Sequence, residues 1–166
     1  MPDLNLQQAL HDAVHDVLEK MFFIEPDDHL SPTGYPAAEG ENTIAAKLKF
    51  EGPSSGCLTL LLSEAGARPM AADFLGLDIE ELPAERIEEV VCELANMVCG
   101  SVLSRIDSHA IFRLASPRVL RGDPWRFLPE ANRDREVYSV GIGSGALTVI
   151  VETREPVCSM TEEFVS

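Results

Sequence analysis

Between Ile87 and Ile106, apolar residues recur at intervals of three and four, the spacing of one face of an α-helix. At about 100° per residue they fall within an arc of about 120°. Cys92, Cys99 and Leu103 widen this surface to one side, so we expect the helix to pack against both a sheet and a neighbouring helix. The apolar stripe consists of Val91, Leu94, Ala95, Val98, Val102 and Ile106.

The other side of this predicted helix carries four residues that we call the polar ridge: Glu89, Glu93, Asn96 and Gly100. A glycine inside a helix costs about 1 kcal/mol relative to alanine, and asparagine is a weaker helix former than glutamine or lysine. One explanation is that a partner's backbone approaches at Gly100, while Asn96 offers an amide that both donates and accepts hydrogen bonds. The alternative is an ordinary surface, with Gly100 admitting another part of the same chain.

The periodicity elsewhere predicts the remaining elements. Alternating apolar residues predict strands, GlyProSerSerGly and GlySerGly predict hairpin reversals, and Ser63 and Gly76 resemble the two ends of a helix. The order α-ββ-αα-βββ indicates an α+β fold, in which helices cover an antiparallel sheet. The predicted helices run from Asn5 to about Phe23, from Ser63 to Gly76 and from Pro83 to about Ile106, and the predicted strands cover 43–50, 56–62, 111–120, 136–142 and 146–153.

Several local expectations accompany this order. Asn5 resembles a helix cap, Met21 belongs to the apolar stripe of the first helix, and Phe74 lies on the buried side of the second. Pro69 is expected to kink or divide the second helix.

The length of 166 residues suits a single domain spanning 1–166. Within it we expect a loop at 25–42, rich in proline, glycine and acids, and a peripheral tail at 154–166. The stretch between the last three strands is expected to pin Trp125 and Phe127 against an apolar surface.

Charge and composition narrow the range of partners and compartments. The 13 basic residues are outnumbered by 28 acidic ones, and the net charge of -15 argues against nucleic acid, whose binding needs clustered cations. No apolar run is long enough for a membrane helix, and MPDLNLQQAL lacks the pattern of a signal peptide. We therefore expect a cytoplasmic protein without a membrane partner. Reduced thiols, with no disulfide and no zinc site, are expected at Cys57, Cys92, Cys99 and Cys158.

Two histidines four residues apart, His11 and His15, could share a metal on the first helix. A metal hydrolase would then need a further ligand, such as His109 or an acid, brought close by folding. A solvated helix face is the alternative, since Asp12, Asp16 and Glu19 lie on the same side.

The stretch Glu93-Leu-Ala-Asn-Met-Val-Cys-Gly100 resembles the E-x-x-N signature of the CheC, CheX and FliY chemotaxis phosphatases. The resemblance covers nearly the whole chain, because LEKMFFI at the end of the first helix, the hairpin, the paired helices and SPRVLRG follow in CheX-like order. CheC and FliY types usually have two such motifs on two related helices. Here Glu19 is followed three residues later by Phe22, which resembles the single-site CheX branch.

The resemblance implies hydrolysis of the aspartyl phosphate of a CheY-like receiver domain, without a nucleophile or cofactor of the chain's own. Asn96 would orient the attacking water, and Glu93 would pair with the receiver's active-site lysine. Glu89 and Gly100 would contact the partner, and the magnesium ion would belong to the receiver. A homodimer joined through its sheet is also implied.

A rival hypothesis is a CheX-like interaction module that binds a receiver or a flagellar component without hydrolysing anything. It predicts that binding survives Asn96→Ala. A retained E-x-x-N favours the enzyme, because docking alone has no evident need for an amide at that position.

Overall fold

A computed structural model describes residues 2–27, 43–122, 134–142 and 145–154. It contains three α-helices, a short 3₁₀ helix at Ile79–Glu81 and a sheet, which confirms the α+β class. In this part of the chain no helix has both the length and the apolarity that a membrane span requires. The helices are α1 (Pro2–Met21), α2 (Glu64–Leu75) and α3 (Ala84–Ile106), and the strands are β1 (Thr43–Glu51), β2 (Ser55–Ser63), β3 (Arg113–Leu114), β4 (Arg118–Gly122), β5 (Asp134–Ile142) and β6 (Gly145–Arg154).

The sheet is antiparallel, and β1, β2, β6 and β5 lie side by side in that order. Both β3 and β4 pair with the outer edge of β1. The predicted hairpin of β1 and β2 is confirmed, with Thr43 opposite Ser63 and Phe50 opposite Gly56.

The prediction of one continuous strand at 111–120 is wrong. Two short strands, β3 and β4, occupy this stretch instead. Lys47 pairs with Arg118 and Phe50 pairs with Leu114, so two residues of β1 face three residues, 115–117, of the other strand. Such an unequal count is a β-bulge. Pro117 lies in it, where the lack of an amide hydrogen costs no ladder bond.

All three helices cover one face of the sheet and enclose a single core with it. Side chains from α3 (Ile87, Leu94, Val98) meet alternate strand residues such as Leu48 and Leu60, and all five are at most 2% exposed. The alternation of strand side chains is what turns one set of residues towards the helices. The opposite face has a smaller buried cluster of Ala45, Leu61 and Ile150.

The helix boundaries follow local chemistry. The Ser63 hydroxyl accepts a hydrogen bond from the Gly66 N–H at 3.2 Å and so caps α2, as predicted. Gly76 ends α2 in the left-handed conformation at a φ of 69°, which glycine adopts without a steric penalty. Pro83 lies immediately before the first residue of α3 and has an extended conformation.

Several local predictions are wrong. α1 begins at Pro2, so Asn5 lies inside the helix and is not its cap, because proline suits a first helical turn. Pro69 does not divide α2, which runs unbroken from Glu64 to Leu75, because it falls in the second turn and removes one backbone hydrogen bond; the predicted kink stays a prediction.

Three side chains expected in the core are partly open, because each lies at the edge of the helix layer near a helix end. The exposed fractions of Met21, Phe74 and Ile106 are 46%, 36% and 40%. The predictions for 28–42, for Trp125 and Phe127, and for the tail beyond Arg154 lie outside the described residues.

Candidate functional site

The polar ridge lies on the side of α3 that faces away from the core, because the opposite side of the helix is buried. Nine of its residues, including Val91, Leu94, Ala95 and Val98, are buried in the core. Because a helix repeats every 3.6 residues, the positions between them must face outward. Glu89, Glu93 and Asn96 are exposed and Gly100 is half-buried, all on that outward side.

Two members of the polar ridge have no polar partner within the described chain. Neither Glu93 nor Asn96 forms a hydrogen bond or ion pair with another described residue. Glu89 does have one, since its carboxylate lies 3.5 Å from the guanidinium of Arg86. A carboxylate and a carboxamide three residues apart therefore project from consecutive turns, with their hydrogen-bonding capacity available to another molecule.

Among the described residues, no packing contact requires Gly100 to be a glycine. A methyl group built at its Cα would meet no described atom within 4 Å, and its backbone is ordinary helix. At Gly56, by contrast, the same methyl group would collide with the backbone oxygen of Glu152. The alternative that Gly100 admits another part of the same chain is thus unsupported in the described structure.

A groove of about 550 Å³ runs beside the polar ridge, between the N-terminal half of α3 and the edge of the sheet at β4. Its walls are acidic and are formed by Glu85, Glu88, Glu89 and Glu93, with Asn96 at the end of the row. Its less polar side is formed by Cys92, Pro117 and Val119, all half-buried. Sequence periodicity missed this groove, because it depends on how β4 approaches α3.

Cys92 is the cysteine that lines the groove. Partial burial raises the pKa of its thiol, and the nearby charge of Glu88 raises it further. A thiol acts as a nucleophile through its thiolate, so catalytic cysteines have lowered pKa values. The raised pKa of Cys92 does not favour such a role, whereas the exposed carboxylate of Glu93 and amide of Asn96 are placed to contact another molecule.

The histidine pair on α1 is used internally. The rings of His11 and His15 stack at 4.2 Å, and His15 Nε2 lies 2.8 Å from the hydroxyl of Tyr138 on β5. The expectation of a solvated face is therefore wrong at His15, whose side chain is only 20% exposed. Within residues 2–27, 43–122, 134–142 and 145–154, no three His, Cys, Asp or Glu side chains converge as a metal site would require.

Just beyond the end of α1, an aromatic ring fills the place that the amide of a second motif would take. Phe22 is 3% exposed and stacks on Phe74 at 4.6 Å between ring centroids. An exposed amide is therefore absent three residues after Glu19. The polar ridge on α3 has no counterpart at this position.

An antiparallel sheet covered by two long helices, with an exposed E-x-x-N on one of them, defines the class of CheC/CheX-type chemotaxis proteins. Residues 44–140, more than half of the chain, match the family described as "Chemotaxis phosphatase CheX", and the chain belongs to that family. No curated protein matches the sequence significantly.

Solved structures share the fold at low sequence identity. CheX from Vibrio vulnificus is 19% identical with a TM-score of 0.70, over 90% of this chain and 96% of that one. CheX in a CheX-CheY-BeF3-Mg complex from Borrelia burgdorferi is 15% identical with a TM-score of 0.69, over 89% and 97%. Thermotoga maritima FliY is 12% identical with a TM-score of 0.63, over 99% and 96%.

Proposed function

We propose that this chain hydrolyses the aspartyl phosphate of a CheY-like receiver domain. The proposal is supported by membership in the CheX phosphatase family and by the resemblance to a protein solved in complex with CheY. One observation carries it at the level of residues. An exposed carboxylate and carboxamide without described partners lie two turns and one turn, respectively, before a helical glycine that no described contact explains.

The proposed chemistry requires positioning rather than a nucleophile. The oxygen of a water molecule attacks phosphorus, the bond from phosphorus to the aspartyl oxygen breaks, and the free carboxylate and inorganic phosphate result. Asn96 would accept a hydrogen bond from that water through its carbonyl and donate one from its NH2 to a phosphoryl oxygen. Phosphoryl transfer needs little covalent chemistry from the protein, so two oriented groups suffice.

The remaining members of the polar ridge serve docking in this proposal. The Glu93 carboxylate would pair with the active-site lysine of the receiver, and such charge contacts set orientation and association rate. Gly100 would let the receiver's backbone approach α3, and Glu89 would extend the acidic surface. The magnesium ion would be the receiver's, and the chain would contribute no cofactor of its own.

We also infer that the protein works in the cytoplasm as a homodimer joined through its sheet. β5 has no second strand along its outer edge within the described residues, apart from the bridge between Asp27 and Gly141. An open strand edge offers unpaired backbone groups to another chain. Sedimentation of the purified protein would test this, and a monomer at all concentrations would contradict it.

The decisive experiment follows phosphate loss from phosphorylated receivers with magnesium, comparing wild type with Asn96→Ala and Glu93→Gln. Removing one positioned catalytic group lowers rates by about 100-fold or more, so Asn96→Ala should nearly abolish the acceleration. Glu93→Gln should weaken docking. The matched control is Glu80→Gln, which removes an exposed charge on the 3₁₀ helix.

The rival adaptor function is an outcome of the same experiment. Receiver binding without acceleration of phosphate loss, unchanged by Asn96→Ala, would leave an interaction module. Acceleration that depends on Asn96 and not on Glu80 would establish the phosphatase.

A further inference from the structure

One apolar side chain lies among the members of the polar ridge. Met97 directly follows Asn96 and is half-buried, whereas Glu93 and Asn96 are exposed. Part of Met97 packs against the edge of the core, and the rest of it is accessible on the outer surface of α3. The outward side of this helix therefore has an apolar spot beside its acid and its amide.

The helical period places Met97 next to the ridge residues on both sides of it. Residues three and four apart are neighbours on a helix surface, so Met97 adjoins Glu93 in one direction and Gly100 in the other. Helical side chains tilt towards the N-terminus, which brings the thioether beside Glu93. Glu93, Asn96, Met97 and Gly100 thus have the spacing i, i+3, i+4 and i+7, the positions that one face of a helix offers to a partner.

The accessible part of Met97 has the chemistry of an interface centre. Packing against the core accounts only for the covered part of the side chain. Methionine is enriched in protein interfaces and glutamate is depleted there, and an unbranched thioether adapts its shape to an apolar partner. Because a few central side chains supply most of the binding energy of an interface, a contact through Glu93 and Asn96 alone would lack an apolar centre.

Gly100 leaves the surface around Met97 open to a partner. A methyl group built at Gly100 would meet no described atom within 4 Å, so nothing described covers this part of α3. A partner backbone that approaches at Gly100 comes within one helical turn of Met97. Met97 lies between Glu93 and Gly100 along the helix, so a molecule docked on both of them must cover it.

We propose that Met97 is the apolar anchor for the docked receiver and determines which receivers are substrates, a step that rests on the phosphatase function proposed above. The receiver contributes an apolar side chain that packs on the thioether, next to the lysine that pairs with Glu93. Receivers with a charged side chain at that place are poor substrates, because docking would bury the charge without a partner. Met97 acts on docking and takes no part in the attack on phosphorus.

The test replaces the thioether by an amide of similar length. Met97→Gln keeps the helix propensity of the side chain but removes its apolar character, whereas Met97→Leu keeps the apolar character and the volume. The matched control is Ile106→Gln, which alters an apolar residue of the same helix that is 40% exposed and lies outside the polar ridge.

The proposal predicts an effect on KM alone. For a receiver that wild type dephosphorylates, Met97→Gln should raise KM about fivefold and leave kcat unchanged, the size expected from losing part of one buried side chain. Met97→Leu and Ile106→Gln should match wild type. A variant that is merely less folded would instead lower the apparent kcat at an unchanged KM, and that result for Met97→Gln overturns the anchor.

Salt distinguishes this contact from the charge contact proposed for Glu93. Salt screens charge pairs, so the ratio of the KM of Glu93→Gln to that of wild type should fall as the salt concentration increases. The corresponding ratio for Met97→Gln should stay constant, because an apolar contact is not screened. A ratio for Met97→Gln that falls like that of Glu93→Gln overturns the apolar anchor.

The remaining outcomes separate this proposal from the proposed function. Equal KM values for Met97→Gln and wild type, with wild type active, overturn the anchor and leave the phosphatase intact. If wild type accelerates no receiver, the phosphatase fails, and the dissociation constants of beryllium fluoride-loaded receivers for wild type and Met97→Gln decide the anchor by the same fivefold criterion. Absence of binding to every receiver overturns both.

Discussion

The two long helices cover the same face of the sheet and pack against each other, yet their outward sides are used differently. On α1, His15 bonds to Tyr138 of β5, and the Asp16 carboxylate lies 3.3 Å from Arg105 of α3. On α3, neither Glu93 nor Asn96 has such a partner in the described chain. The outward side of α1 is therefore bonded to both β5 and α3, whereas Glu93 and Asn96 of α3 point away from the described chain.

The contrast is consistent with the proposal of a single site on a fold with two comparable helices. The role proposed for the E-x-x-N motif requires both of its side chains to reach another molecule. The fourth position of such a motif starting at Glu19 is Phe22, the first residue beyond α1, which is buried against Phe74. The stacked rings of Phe22 and Phe74 pack the end of α1 against α2 and stabilise the core there. A second site would need an exposed side chain at the same place.

The largest effect is expected from Phe22→Asn, which would create an E-x-x-N sequence that begins at Glu19 and ends just beyond α1. Because Phe22 is buried, losing its ring and burying an amide should lower the free energy of unfolding by about 3–5 kcal/mol. Denaturant titration measures this change. The matched control is Phe23→Asn at the next residue, which is 89% exposed with a φ of 56°, a conformation that asparagine tolerates better than phenylalanine.

The control should leave stability unchanged or slightly raised. Equal losses for the two variants would remove the distinction between the helices, because Phe22 would then not be a packing residue in the sense proposed.

A second effect concerns two glycines, Gly100 on the open side of α3 and Gly56 inside the sheet. Gly100→Ala should raise the free energy of unfolding by about 1 kcal/mol, because alanine is the better helix former and its methyl group meets no described atom within 4 Å. Gly56→Ala should lower it by about 1–3 kcal/mol, because its methyl group would collide with the Glu152 backbone.

Gly100→Ala should also affect stability and activity in opposite directions. Gly100→Ala should slow the dephosphorylation of the receiver although the protein is more stable, which only an external contact explains. A destabilised Gly100→Ala would show that the glycine serves the fold.

A smaller effect on stability is expected at the hydrogen bond between His15 of α1 and Tyr138 of β5. Tyr138→Phe removes the hydroxyl that lies 2.8 Å from His15 Nε2, and loss of one such hydrogen bond should lower the free energy of unfolding by about 1 kcal/mol. Phosphatase activity should not change, since this contact joins α1 to β5 and does not involve the polar ridge on α3. An activity loss without a stability loss would mean that α1 also takes part in docking.

Sequence periodicity predicted the architecture because the strongest signals, the apolar stripe of α3 and the alternation in β1, reflect burial in one core. Local chemistry identified both ends of α2 through Ser63 and Gly76. The division at Pro117 was missed, because a bulge is defined by the register with β1 and not by the strand's own residues.

The outward position of Glu93 and Asn96 followed from the helical period alone. The groove beside them and the aromatic pair of Phe22 and Phe74 did not, because each joins residues far apart in the chain. The roles of the ridge residues came from family resemblance, and periodicity by itself could not distinguish them from ordinary surface.

The smallest effect concerns the ion pairs of Asp16, one with Lys20 within α1 and one with Arg105 of α3. The hydrogen bond from Lys20, at 2.7 Å, lowers the pKa of the Asp16 carboxyl below its usual 3.8, and the charge of Arg105 lowers it further. A lowered pKa in the folded state means that the contribution to stability is present above pH 3.8 and is lost as the pH falls through the folded value. Asp16→Asn should therefore lower Tm slightly at neutral pH, and the difference from wild type should disappear in strong acid. Thermal unfolding across that range measures it, with Lys20→Gln as the background in which the difference should already be reduced. A difference that stays constant into strong acid would show that Asp16 acts through packing. The ion pair between Asp16 and Arg105 would then not stabilise the contact between α1 and α3.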